Sequence, residues 1–135
     1  MTEPTLVTGG CLCGQARFTA QGEPVNVRIC HCGLCRKASG GLMYGRAIFR
    51  AEALERTGET RSHPSSTRLL RHFCPQCGTM VYTEPVDRPG FWAVGLATLD
   101  EPDRLAPEMH IWVASKPAWL KVDDGLPQHP EGCPW

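Results

Sequence analysis

A small, mainly β domain stapled by metal is the fold that the sequence predicts, on three observations. The chain has 135 residues, close to the commonest size of one domain. Its apolar residues gather in short runs of alternating, β-branched or aromatic character, broken at close intervals by 14 glycines and 12 prolines. Eight cysteines, most of them at short fixed spacings, supply the staples that so small a core needs. The expected unit is a single domain over residues 1–135, with its motif-bearing core at about residues 9–126.

The elements follow in chain order. Gln15 to Ala20 (QARFTA) alternates as a half-buried strand does, and Met43 to Phe49 (MYGRAIF) reads the same way. Further strands are expected at Thr67 to Phe73, Met80 to Thr83, Phe91 to Leu96 and His110 to Ala114. Helical turns are expected only at Arg36 to Ser39 and at Arg50 to Leu54. The sequence contains no internal repeat and no low-complexity segment.

Composition removes several classes of function. Hydrophobic residues make up 41% and charged residues 21%, the balance of a soluble globular chain. No apolar run approaches the roughly 18 residues of a spanning helix, so no membrane partner is expected. Fourteen basic against 14 acidic side chains leave no field to attract nucleic acid. The start, MTEPTLVTGG, has neither a basic n-region nor an apolar h-region, so the expected location is cytoplasmic. In that compartment thiols stay reduced, and closely spaced cysteines read as metal ligands before disulfides.

The cysteines form three clusters and one outlier: Cys11 and Cys13 in CLCG, Cys30, Cys32 and Cys35 in CHCGLC, Cys74 and Cys77 in CPQCG, and Cys133. CLCG and CPQCG each end in a glycine that lets the backbone turn so that amides point at thiolates. Two distant pairs together make four ligands, which is the composition of a closed, structural zinc site. The remaining triplet leaves one position of a tetrahedral ion free, and an open position marks catalytic zinc. Water or substrate is the expected fourth partner. Open alternatives are His31, which lies between two ligands on extended backbone and would point away, Cys133 on a tail folded back, or an iron–sulfur cluster on the same thiolates. Two zinc ions are the expected cofactors.

Three thiolates outweigh a dication, so this zinc is a weak Lewis acid with a preference for a soft ligand. A substrate thiol would lose its proton there and stand ready to meet an electrophile such as an aldehyde.

GGCLCGQARF, CHCGLCRKASGG and RHFCPQCGT, in that order and followed by HIWVASKPAWL, resemble the glutathione-dependent formaldehyde-activating enzyme family, which includes the centromere protein V domain. The resemblance runs from about Gly9 to Leu126. It implies a β-tent of small antiparallel sheets, a structural zinc on Cys11, Cys13, Cys74 and Cys77, and a catalytic zinc on Cys30, Cys32 and Cys35. The implied reaction joins formaldehyde and glutathione into S-hydroxymethylglutathione, a carbon–sulfur lyase reaction written in reverse. Cys133 lies outside the family's pattern.

Other residues are candidates by position. Arg36 and Lys37 follow Cys35 directly and are expected to offset the thiolates or clamp the carboxylates of an anionic thiol. Arg46, Arg68 and Arg71 rank below them, because strand alternation can turn them outward. His31 is the candidate acid–base or supporting residue, ahead of His72 and His110. Phe73, Trp92, Trp112 and Trp119 are expected in the core and the pocket wall. The leading function is an enzyme of carbon–sulfur chemistry acting on glutathione or another small thiol. The alternative is a non-catalytic binding module with two structural zinc sites.

Overall fold

The computed structural model describes residues 5–135. It is mainly β, with two sheets and one short helix. The three-stranded sheet is antiparallel and orders β1 (Leu6–Gly10), β2 (Arg17–Gln21) and β5 (Leu54–Thr57). The other strands are β3 (Asn26–Cys30), β4 (Tyr44–Arg50), β6 (Arg61–Ser66), β7 (Leu69–Phe73), β8 (Met80–Pro85), β9 (Phe91–Gly95) and β10 (Met109–Ile111). They form a seven-stranded sheet in the order β10-β3-β4-β9-β8-β7-β6, antiparallel except where β10 runs parallel to β3. The helix α1 spans Gly33–Ser39 between β3 and β4.

Alternation explains the strands that the sequence made legible. In β2 it turns Phe18 and Ala20 into the core. In β4 the run Ala47, Ile48 and Phe49 is buried throughout, as in a central strand covered on both faces. The main core joins Val7, Phe18 and Leu54 of the small sheet to Phe49, Tyr82 and Val94 of the large one, and Phe18 meets Tyr82 edge to face at 6.5 Å.

Several boundaries depart from the sequence expectation for definable reasons. The strand expected at Thr67 to Phe73 is the second arm of a hairpin, and Thr67 and Arg68 form its turn. Its first arm, β6, reads RSHPSS; with no apolar residue and a proline it is an exposed edge strand that periodicity cannot reveal. The strand expected at His110 to Ala114 stops at Ile111, because Trp112 takes a left-handed conformation (φ 59°) and opens a 3-10 turn. The Arg50 to Leu54 turn is a 3-10 turn over Ala51–Ala53. The turn expected from Arg36 starts earlier: Cys32 caps α1 by accepting from the Cys35 amide at 3.3 Å, and Gly40 (φ 75°) ends it.

Residues beyond the resembling core are bound to it. The amide of His110 donates to Pro127 O at 2.9 Å and that of Trp112 to Glu131 O at 3.0 Å. The buried Arg28 donates to the carbonyls of Cys133 and Pro134 at 2.6 and 2.8 Å. Among the described residues no helix is long and apolar enough to cross a membrane.

Gly58 follows β5 with φ +86°, and a Cβ placed there would lie 1.9 Å from Gln15 O. The Gln15 side chain in turn brackets Glu59, donating to its carbonyl at 2.6 Å and accepting from its amide at 3.0 Å. Gly58→Ala is therefore expected to cost at least about 1–3 kcal/mol from the backbone conformation alone. A thermal melt of the metal-loaded variant would measure this, and an unchanged midpoint would show that the loop yields freely.

Candidate metal centres

The two cysteine pairs expected to share an ion are brought together by β1, β2 and the turn between β7 and β8. The sulfurs of Cys11, Cys13, Cys74 and Cys77 all lie within 4.8 Å of one another. Cys13 is 3.6 Å from Cys11 and 3.7 Å from Cys74, sulfur to sulfur. Zinc–sulfur bonds of about 2.3 Å arranged as a tetrahedron place ligand sulfurs about 3.8 Å apart, so the quartet fits that ion. Donors converge on it from outside. The Ala16 amide donates to Cys11 Sγ at 3.3 Å and Gln15 Nε2 to Cys74 Sγ at 3.4 Å. The Thr79 hydroxyl lies 3.2 Å from Cys77 Sγ and, with backbone amides, pulls the Cys77 thiol down to about 5.

The triplet is assembled locally. Cys30 ends β3, Cys32 caps α1 and Cys35 lies in the first turn of that helix, with all three sulfurs within 4.8 Å of one another. Left to themselves they divide their charge unevenly. Hydrogen bonding from Cys30 and Cys35 brings the Cys32 thiol down to about 2, and the same bond to Cys32 pushes the Cys30 thiol far up. Ionising all three together requires a cation among them, and a divalent ion suits this donor set. Cys133 is not in this group of sulfurs, although it packs on the apolar surroundings of the triplet.

One wall of a cavity of about 470 Å³ is made by the three triplet cysteines. Around it stand Arg46 from β4, Arg68 from the hairpin turn and Arg71 from β7, with Asp87 and the indoles of Trp112 and Trp135. These are not the basic residues that sequence proximity nominated. Arg36 and Lys37 lie in the last turn of α1 and do not line the cavity, because the helix carries them away from Cys35, which they follow in sequence. Arg71 is 1% exposed and donates through Nη2 to Cys35 Sγ at 3.4 Å.

His31 also stands apart from the cavity. Its ring is fully buried, with Nε2 2.9 Å from His110 Nδ1; His110 Nε2 is 2.7 Å from Asp124 Oδ2. Burial, with His110 beside it, lowers the His31 pKa. The ring neither joins the triplet sulfurs nor reaches the cavity, as expected of a residue between two clustered cysteines on extended backbone. His72 also lies outside the cavity lining, its ring tilted 45° to that of Trp92 with centroids 4.9 Å apart. Of the aromatics expected in the core or pocket wall, Trp112 reaches the cavity, whereas Trp119 is 67% exposed. No sequence signal pointed to Asp87 or Trp135, which reach the cavity from loop and tail.

The fold and these sites define a class: a mainly β protein with one four-cysteine and one three-cysteine cluster able to hold metal, the second facing a cavity. The chain belongs to the glutathione-dependent formaldehyde-activating enzyme family, whose sequence model matches residues 6–115. It is similar to a crystal structure of a Rhodobacter sphaeroides protein, a structural-genomics target, with a TM-score of 0.57 and 24% identity over 69% of this chain and 87% of that one. That likeness is one of fold. Comparison with curated proteins finds no match.

Proposed function

We propose that the chain is a zinc-dependent enzyme of the carbon–sulfur lyase type, acting on the adduct of an aldehyde with glutathione or another small thiol. The observation that carries this reading is the placement of Cys30, Cys32 and Cys35 in the wall of a cavity that three arginines also line. In this reading Cys11, Cys13, Cys74 and Cys77 hold a structural zinc, and the triplet holds the catalytic one. When bound there, zinc supplies a soft Lewis-acid position that favours an ionised thiol over water.

The chain's own residues do the rest. Arg46 and Arg68 offer guanidinium forks to the carboxylates of an anionic thiol, and Asp87 offers a partner to its ammonium group. Trp112, Trp135 and Ile111 form apolar wall, which keeps water from competing with the thiol for the aldehyde. In the synthetic direction the sulfur attacks the carbonyl carbon, the C–S bond forms as the C=O π bond opens, and the proton released by the thiol ends on the oxygen. A cytoplasmic setting fits a substrate of this kind.

Metal analysis of protein purified without added metal is expected to give two zinc ions per chain. In the cobalt-substituted protein, glutathione should intensify the sulfur-to-cobalt charge-transfer band, whereas S-methylglutathione, which has no ionisable thiol, should leave it unchanged. Cys133→Ala should respond as the parent does. Two four-thiolate sites before any ligand is added, one of them losing a thiolate in Cys133→Ala, would overturn the open-site reading in favour of a binding module.

A further inference from the structure

We propose that Arg71 is the built-in counter-cation of the triplet centre, a positioning residue that acts on the metal through the Cys35 thiolate. This rests on the reading of the triplet as a divalent metal site.

Arg71 is among the largest fully buried side chains of the protein, 1% exposed, and arginine keeps its charge wherever it is placed. A buried guanidinium needs a counter-charge as well as hydrogen bonds. It donates three hydrogen bonds, from Nε to Ser65 Oγ at 2.8 Å, from Nη1 to Met80 Sδ at 3.8 Å and from Nη2 to Cys35 Sγ at 3.4 Å, and its guanidinium lies 6.0 Å from the centroid of the Tyr44 ring. Among the described residues no carboxylate pairs with it: the ion pairs join Arg17, Arg28, His72, Arg104 and His110 to their acidic partners. A hydroxyl, a thioether and the neutral phenol ring of Tyr44 carry no net charge, which leaves Cys35. A neutral thiol at Cys35 would strand the charge. Three thiolates around a dication carry a net charge of −1, and one arginine cancels it.

The arrangement also separates Arg71 from its two neighbours in the cavity. Arg46 bonds to Asn26 Oδ1 and Arg68 is exposed, so neither touches a triplet sulfur. Arg71 is committed to the centre, held there by one contact from each of β6, α1 and β8. Its hydrogen bond draws electron density from one sulfur and thereby limits how strongly the three thiolates weaken the metal as a Lewis acid. It also fixes the Cys35 rotamer before any ligand arrives.

The test uses the two-metal protein in chelator competition, together with its cobalt-substituted form. Arg71→Met should keep the quartet metal at parental affinity while the triplet metal binds about 10- to 100-fold more weakly, the range for lost outer partners of metal ligands. The triplet charge-transfer band should move to lower energy, because a sulfur without its donor is more easily oxidised. Arg71→Lys should fall between. Equal triplet affinity and an unmoved band in Arg71→Met, with two metals in the parent, would overturn the role of Arg71 alone. A parent that holds only the quartet metal would overturn the metal reading of the triplet itself. Should Arg71→Met fail to fold, Ser65→Ala decides: it frees Nε, and a band shift in the same direction supports the proposal, whereas an unmoved band refutes it.

Discussion

Cys74→Ser is expected to unfold the protein at room temperature. Cys74 is 1% exposed and belongs to the main core, where its sulfur completes the quartet and accepts from Gln15 Nε2. Structural zinc in small domains contributes on the order of 10 kcal/mol of folding free energy, whereas the net stability of a domain is about 5–15 kcal/mol. Three remaining sulfurs would hold an ion less tightly, and the uncoordinated thiols would repel or leave buried hydrogen-bonding groups unmatched. Circular dichroism and metal analysis should show lost tertiary structure and lost metal together. A cooperatively folded Cys74→Ser protein that has shed one metal would exclude a structural role for the quartet.

Cys35→Ser should have the opposite profile, with the fold retained and the chemistry gone. The triplet spans a single strand end and the first turn of α1, so it ties nothing distant together. Two metals per chain should become one, and formation of the thiol–formaldehyde adduct should fall to the uncatalysed rate. The melting temperature should still drop, because Arg71 loses its charge partner; breaking a buried pair costs up to about 3–5 kcal/mol. The cavity beside Arg71 lets water relieve part of that cost. Retained second metal, or activity near that of the parent, would remove Cys35 from the centre.

The two clusters of cysteine sulfurs were legible in the sequence because cysteines at short fixed spacing have few uses besides binding metal. Strand β2 was legible by the alternation that buries Phe18 and Ala20, and β4 by its run Ala47, Ile48 and Phe49. What stayed hidden was set by long-range placement. Arg36 and Lys37 neighbour Cys35 along the chain, yet the arginine that touches Cys35 comes from β7, 36 residues away. Alternation alone allowed Arg71 to point outward; it is buried, and one of the groups that receives it is Ser65 on β6, a strand that periodicity does not reveal. No sequence signal singled out Arg28, which is 4% exposed, because the tail that accepts its hydrogen bonds lies 105 and 106 residues further on.

The quartet joins Cys13 to Cys74 across 61 residues, whereas the triplet closes within one strand–helix junction. That difference imposes an order in time. Bringing the distant pairs together before any contact rewards it costs about 4 kcal/mol of loop-closure entropy, so the quartet can form only as the sheets themselves form. The triplet can seize an ion while the chain is still largely open. During synthesis, then, its three thiols are available to metal before the quartet exists. A thiol-rich pool that competes for scarce metal would slow maturation chiefly at the step that closes the longer loop.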